Sequence, residues 1–291
     1  MRPTSGERAF GAFNTILMSG LCLIMLYPFL YVLFASLSEA TSFIQHRGIL
    51  FRPTGFDLDA YRAVFDNPMI IRGYRNTLTY VVLGTSINLF MTALGAYVLS
   101  RPSLYFKNAV MFFIVVTMVF HGGLIPTYLL VNQLGMMNSM WALLIPTAIN
   151  TFNMIIMRTA FQGIPVSLDE SARMDGANDW TILFRIILPL SMPVVAVMIL
   201  WYAVGHWNSF FNALVYLRNR EAYPLQLVLR EILIANDTDS MMTDAGANDK
   251  YAIGETIKYA TIIVSSLPII CLYPFLQRYF VKGVMIGAIK E

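Results

Sequence analysis

Six stretches of this chain, residues 15–37, 76–100, 109–130, 140–157, 186–211 and 256–280, each run for 18 to 26 positions without an acidic side chain. A helix needs about 20 mostly apolar residues to cross the hydrocarbon core of a bilayer. The only Lys or Arg residues within them, Lys258 and Arg278, stand near the ends of the last stretch, where long side chains snorkel to the interface. Composition agrees: 57% of the 291 residues are hydrophobic and 13% charged, against about 25% charged in ordinary soluble domains. A soluble core of this size cannot bury so much apolar side chain, whereas lipid can solvate it. The expectation is an all-α integral membrane protein of about six transmembrane helices, a single membrane domain over 1–291. Disorder, coiled coil and collagen are excluded, and a net charge of +3 spread along the chain gives no case for nucleic acid.

Prolines at 28, 126, 146, 189, 193, 268 and 274 fall inside the spans. Such breaks are tolerated in membranes where neighbouring helices or cavity water satisfy the freed carbonyls, so they point weakly to a bundle that lines something. Cys22 and Cys271 lie in apolar runs, where a thiol is a small hydrophobe. The first span follows Arg2 and Arg8 but is too long for a signal-peptide core and shows no clear cleavage site, so it is expected to stay.

An even span count puts both termini on one side. That side, with loops 101–108 and 158–185, carries 10 Lys and Arg, against 9 on the other. Charge leans only slightly toward making it cytoplasmic. The acidic stretch 237–249 lacks the glycine and glutamate spacing of a calcium loop and reads as a solvated loop.

Loop 158–185 carries the most information. Ser167 and Glu170 match an S-x-x-E capping box, which predicts a short helix from about Leu168. Asp169 and Glu170 would lie in its first turn, favoured by the helix dipole. Gly176 follows where a left-handed C-terminal stop wants glycine, and Asn178 or Asp179 can cap a second short helix running toward Pro189. The result is a helix–turn–helix elbow on the membrane surface, with Ala172 and Gly176 leaving room for a partner.

Glu170-Ser171-Ala172, three residues, Gly176, nine residues, then Ile186-x-Leu188-Pro189 resembles the EAA signature of ABC importer permeases, with Ser171 in place of its first alanine. The likeness extends through YRNTLTYVV (74–82), AYVLSRP (96–102), HGGLIPTYLL (121–130), WNSFFNALVYL (207–217), YPLQLVLREIL (223–233) and the tail QRYFVKGVMIGAIK (277–290). These resemble carbohydrate importers of the type I fold, on the side of the second permease of the maltose-type pair and nearest the LplC-like group. The resemblance implies a bacterial inner-membrane location with cytoplasmic termini and a coupling elbow docked on ATPases. It implies import of sugars, uronate-containing oligosaccharides included. The partners it implies are a different permease chain, two ATPase subunits that carry ATP and Mg, and an extracytoplasmic solute-binding protein.

No G-x-x-x-x-G-K-[ST] cradle, HExxH pattern or catalytic triad occurs, so catalysis, metal and cofactor are expected off this polypeptide. For ATPase coupling the candidates are Glu170, Ser171, Ala172, Arg173, Asp175 and Gly176, and the tail 283–290 resembles one that reaches the same interface. For a sugar path they are polar groups within spans: Trp207 and Asn208 first, then His206, Asn212, His121, Asn150 and Asn153. Buried amides in a bilayer are costly unless they face a cavity or a partner, although asparagines also simply bond across helices. Arg72, Arg75, Arg218 and Arg220 read as interface anchors before they read as a steering field. Three rival functions stand beside this one: an ATP-independent carrier or channel, a membrane enzyme, and an ABC permease for a non-sugar solute. The spans lack the carboxylates that ion coupling would use.

Overall fold

The computed structural model describes residues 4–234 and 253–271. The tail 283–290, the loop 237–249 and the end of the stretch 256–280 lie outside the described residues. Regular structure among the described residues is helical throughout. In chain order the helices are α1 Ser5–Ser36, α2 Ala40–Gln45, α3 Asp59–Asp66, α4 Pro68–Ser100, α5 Lys107–Val119, α6 Leu124–Gln133, α7 Trp141–Leu144 and α8 Thr151–Gln162. They continue with α9 Val166–Met174, α10 Asp179–Ile182, α11 Leu188–Leu190, α12 Met192–Trp207, α13 Phe211–Tyr216, α14 Leu225–Ile234 and α15 Ile253–Cys271.

The described residues fall into two compact units, one from 4–70 with 229–234 and 253–268, the other from 71–228 with 269–271. In the first, α1 starts at a capping box in which Thr4 N–H donates to Glu7 Oε2 at 2.7 Å and Glu7 N–H donates back to Thr4 Oγ1. Its outer turns leave Phe10, Ile16, Leu23 and Ile24 about 70% exposed, a surface suited to lipid or a neighbouring chain rather than water. Its far end is tied down: the rings of Tyr31, Phe43 and Tyr259 meet edge to face, and Tyr27 Oη accepts from Leu50 N–H at 3.1 Å.

The second unit is organised on α4, 33 unbroken residues. Glycines stand on it at 73, 84 and 95. Eleven residues make about three turns, so all three share one face. Each marks a close approach. A Cβ on Gly73 would meet the Leu225 backbone at 3.1 Å, on Gly95 it would meet Met154 Sδ at 2.8 Å, and on Gly84 it would collide with the His206 ring. We expect Gly84→Ala to cost about 1–3 kcal/mol by overpacking, read as a lower melting temperature of the purified protein. Gly205→Ala, with open space at its Cβ, should melt at or above wild type, and equal melting of the two variants would refute the close approach at Gly84.

Two cores flank the middle of α4. At its C-terminal half Ala93, Ala96 and Tyr97 pack with Met154, Met157 and Phe161 of α8 and with Ile182, Leu183, Ile187 and Met198. Nearer its start, Tyr80 packs with Val131, Ala142–Leu144, Ala213 and Tyr216.

Three apolar stretches are not straight helices. Among the described residues three unbroken helices are long and apolar enough to cross a membrane, or up to five if each bent pair counts as one crossing. α5 and α6 meet at 109° across Phe120–Gly123, where Gly123 takes φ +86°. The chain from Asp179 to Trp207 bends by 88° at Ser191. Pro189 has no N–H to continue the ladder, and a π-helical stretch, Leu183–Ile187, precedes it. The stretch 140–157 breaks into α7 and α8 around Pro146, with Asn150 capping the new start by accepting from Asn153 N–H at 3.0 Å.

Candidate functional site

α9 begins at Val166, two residues ahead of the capping-box expectation, and the box does not form. Pro165 sits at the N-cap with φ −57° and ψ 131°. It pre-sets the entry angle, and its absent N–H needs no partner, so Ser167 falls inside the helix rather than at its cap. The stop is as the glycine implies. Gly176 takes φ +83°, Ala177 N–H reaches Ala172 O at 2.9 Å and Gly176 N–H reaches Arg173 O at 3.0 Å, the paired bonds of a Schellman turn. Asn178 then caps α10, its side chain accepting from Thr181 N–H at 2.8 Å. Two short helices are thereby held at a fixed elbow.

The elbow has two faces. Glu170, Ser171, Arg173, Asp175 and Gly176 are exposed, with Met174 between them 88% exposed. Ala172 is half-buried against the α4–α8 core, so its small side chain packs within the chain. Asp169, outside the expected set, is buried. Its Oδ2 lies 3.3 Å from Arg101 Nη1, an ion pair, and accepts from Arg173 Nε at 3.5 Å. Arg101 lies 4.5 Å over the Tyr97 ring, and the Tyr97 hydroxyl donates to Asp179 Oδ1 at 3.0 Å. Arg173 also donates to Asp179. That bond and the charge of Asp169 hold the Arg173 guanidinium more firmly protonated than usual. The carbonyls that end α4 receive cations too: Arg158 Nε donates to Leu99 O at 3.0 Å, and Lys107 Nζ to Ser100 O and Arg101 O at 3.3 Å.

A second site lies along the middle of α4. A cavity of about 400 Å³ is lined by Asn88, Asn150, Asn153, His206, Asn208 and Asn212, closed by Trp201, Tyr202, Phe210 and Phe211. Five of the seven substrate-path candidates therefore converge, although they come from three helices and a loop. Trp207 does not line it. One position along a helix rotates a side chain by about 100°, and Trp207 is buried with its ring edge-on to Tyr74 at 6.1 Å. His121 does not line it either and lies exposed in the α5–α6 bend. Asn88, absent from the sequence expectation, ties the chamber together. Its Nδ2 donates to Thr147 O at 2.5 Å, a carbonyl in the proline break, while its Oδ1 lies 2.6 Å from His206 Nε2. With its amide so oriented, Oδ1 can only accept, so the His206 Nε2 must carry the proton. The signal for Asn88 was available: an amide in the middle of an apolar span, one turn after a glycine.

Of the four arginines read as anchors, Arg72 pairs with Glu221 at 2.9 Å. Arg72 stands on α4, and Glu221 lies in a turn clamped onto that helix by Asn76, whose Nδ2 donates to Glu221 O at 2.6 Å, and by Tyr80, whose hydroxyl donates to Ala222 O at 2.7 Å.

Set beside known proteins, the chain is 42% identical to the polygalacturonan/rhamnogalacturonan transport system permease protein YtcP of Bacillus subtilis (strain 168), over 92% of this chain and 93% of that one. It is 40% identical to Protein LplC of the same organism, over 100% of this chain and 98% of that one. Among solved structures, a bacterial ABC transporter involved in the import of the acidic polysaccharide alginate includes a chain 34% identical, matching with a TM-score of 0.87 over 96% of this chain and 99% of that one. That match bears out the all-α fold of a type I ABC importer permease. The family described as binding-protein-dependent transport system inner membrane component matches residues 94–286, which include the whole elbow and most of the chamber. The chain belongs to that family, as one of its membrane permease subunits.

Proposed function

We propose that this chain is one of two different permeases in an ATP-driven importer of oligosaccharides, uronate-containing ones among them. Two ATPase subunits on separate chains bind ATP and Mg, and an extracytoplasmic binding protein delivers the sugar. The termini and the elbow face the cytoplasm. Glu170, Ser171, Arg173, Asp175 and Gly176 meet the ATPase, with Ala172 behind them against the core.

The observation that carries this reading is the elbow itself. A helix of nine residues, stopped by a left-handed glycine and capped on both sides of the turn, presents an exposed charged face of Glu170, Arg173 and Asp175, of which Arg173 is also tied to Asp169 and Asp179. Charge-assisted bonds from Glu170 and Arg173 suit a partner that changes shape. The chamber suits the cargo: amides offer donors and acceptors to hydroxyls, and the aromatic rings beside them offer flat apolar faces to a sugar ring. Its described lining holds no Lys or Arg, and His206 is its one ionisable side chain besides Tyr202.

The test is uptake by proteoliposomes holding the whole importer purified through a tag on this chain. Labelled oligogalacturonate should accumulate only with ATP and binding protein, and vanadate should stop it. Accumulation or exchange without ATP would overturn the reading in favour of a self-sufficient carrier. ATP-driven uptake of amino acids or peptides in place of sugars would leave the importer and overturn its cargo.

A further inference from the structure

The elbow is joined to the rest of the chain by packing of Ala172, Ala177 and Ile182, by the hydrogen bond from Tyr97 to Asp179, and, among the described residues, by one buried ionic link, between Asp169 of α9 and Arg101 just past the end of α4. The side chains of this pair are 11% and 14% exposed. Taking two charges from water costs about what their attraction returns, so a buried pair is poor evidence of added stability and better evidence that position matters. The position in question is the end of a rod. From Ser100 back to Asn88, α4 runs twelve residues without a break, about 18 Å at 1.5 Å per residue. Asn88 lines the chamber and fixes both His206 and the Thr147 carbonyl. Tyr202, one turn before His206 in the same lining, bonds Thr92 of α4, one turn on from Asn88, at 2.7 Å.

The link is also incompletely satisfied. Asp169 Oδ1 and Arg101 Nε are buried with no partner among the described residues. Arg173 divides its donors between Asp169 and Asp179, and Asp179 divides its acceptance between Arg173 and Tyr97. A cavity of about 690 Å³ borders this cluster and leaves room for rearrangement. Shared partners, spare hydrogen-bonding capacity and adjacent space are what a cluster with two arrangements needs.

We propose that Arg101 and Asp169 are positioning residues that deliver movement of the elbow to α4, and through Asn88 and Thr92 to the chamber. This rests on the elbow docking to an ATPase. The pair itself does no docking: Asp169 and Arg101 face inward, while Glu170 and Met174 face out. Loss of the pair therefore uncouples ATP hydrolysis from uptake and leaves the ATPase bound.

The test compares Asp169→Asn, Arg101→Met, Arg101→Lys and Gly176→Trp in the complete reconstituted importer. The readouts are ATPase recovered with the tagged chain, ATP hydrolysed, and sugar moved per ATP. Asp169→Asn and Arg101→Met should keep the ATPase, and sugar moved per ATP should fall roughly tenfold, within the usual range of coupling between sites. Arg101→Lys, which keeps the charge, should restore most of that ratio, a rescue that a purely packing role would not give. The apolar pair Arg101→Met with Asp169→Leu strands no charge and guards against misfolding; it should assemble, with the ratio low. A normal ratio in either single variant or in the apolar pair overturns the proposal, as does loss of the ATPase from the Asp169→Asn complex. Gly176→Trp separates the two readings. If it retains the ATPase, the docking elbow is wrong, whatever the ratio in the others shows.

Discussion

Gly176→Trp is expected to reduce ATP-driven uptake to background and to strip the ATPase from the purified complex, with the chain itself still inserted and folded. The argument has two parts, and the structure separates them. Gly176 takes φ +83°, a conformation that costs an ordinary side chain about 1–2 kcal/mol. That strain alone would loosen the Schellman turn and blur the angle between α9 and α10. The second part is steric. A Cβ built on Gly176 has nothing of its own chain within 4 Å, so an indole there meets solvent in the isolated chain and a partner only in the complex. Gly176→Asn isolates the first part, because asparagine tolerates the left-handed region. It should keep the ATPase and most of the uptake. Gly176→Ala, strained but small, should fall between. If tryptophan and alanine prove equal, the effect is turn strain and no partner surface lies over Gly176.

The elbow was the part of the site most legible in the sequence, because its signals are local. Glycine at a left-handed stop and asparagine at an N-cap each act within three residues, and both appear where the spacing put them. The capping box failed for an equally local reason, since Pro165 two positions earlier offers a start that needs no side chain. What the sequence could not show is contact across distance. Asp169 looked like one more carboxylate in a first turn, yet its partner Arg101 lies 68 residues back. The apolar stretches marked where helices run, and the prolines hinted at breaks, but no local rule gives the bends of 88° and 109°. Trp207 shows how fine the margin is. His206, Trp207, Asn208 and Asn212 stood together as candidates for a sugar path, and the chain then places His206 and Asn208 in the lining and Trp207 outside it. The glycines of α4 at 73, 84 and 95 were visible as letters, and their spacing of eleven acquires meaning only once Leu225, His206 and Met154 are found against them.

Asn88→Leu should be the most destabilising single change in the chamber. Leucine fits α4 at least as well by helix propensity and is similar in size, so neither a cavity nor backbone strain accounts for the expected loss. The cost comes from what is left behind. The Thr147 carbonyl, freed by the Pro146 break, loses the 2.5 Å bond from Asn88 Nδ2, and His206 loses its 2.6 Å contact. Each stranded group costs about 1–3 kcal/mol, and in a bilayer no bulk water is at hand to relieve it. A loss of about 2–5 kcal/mol should lower the melting temperature of the purified complex by on the order of 10 °C, and uptake should fall with it as the lining loosens. His206→Gln keeps an N–H that can reach Asn88 Oδ1 and leaves the Thr147 bond alone, so it should melt much nearer to wild type. The comparison decides what Asn88 is for. If Asn88→Leu melts normally but no longer moves sugar, water from the chamber already satisfies Thr147 and His206, and Asn88 acts on the cargo. If melting and uptake fall together in Asn88→Leu and recover together in a variant that restores the donor, such as Asn88→Gln, the amide is the knot that lets a proline-broken helix line a polar chamber inside a membrane.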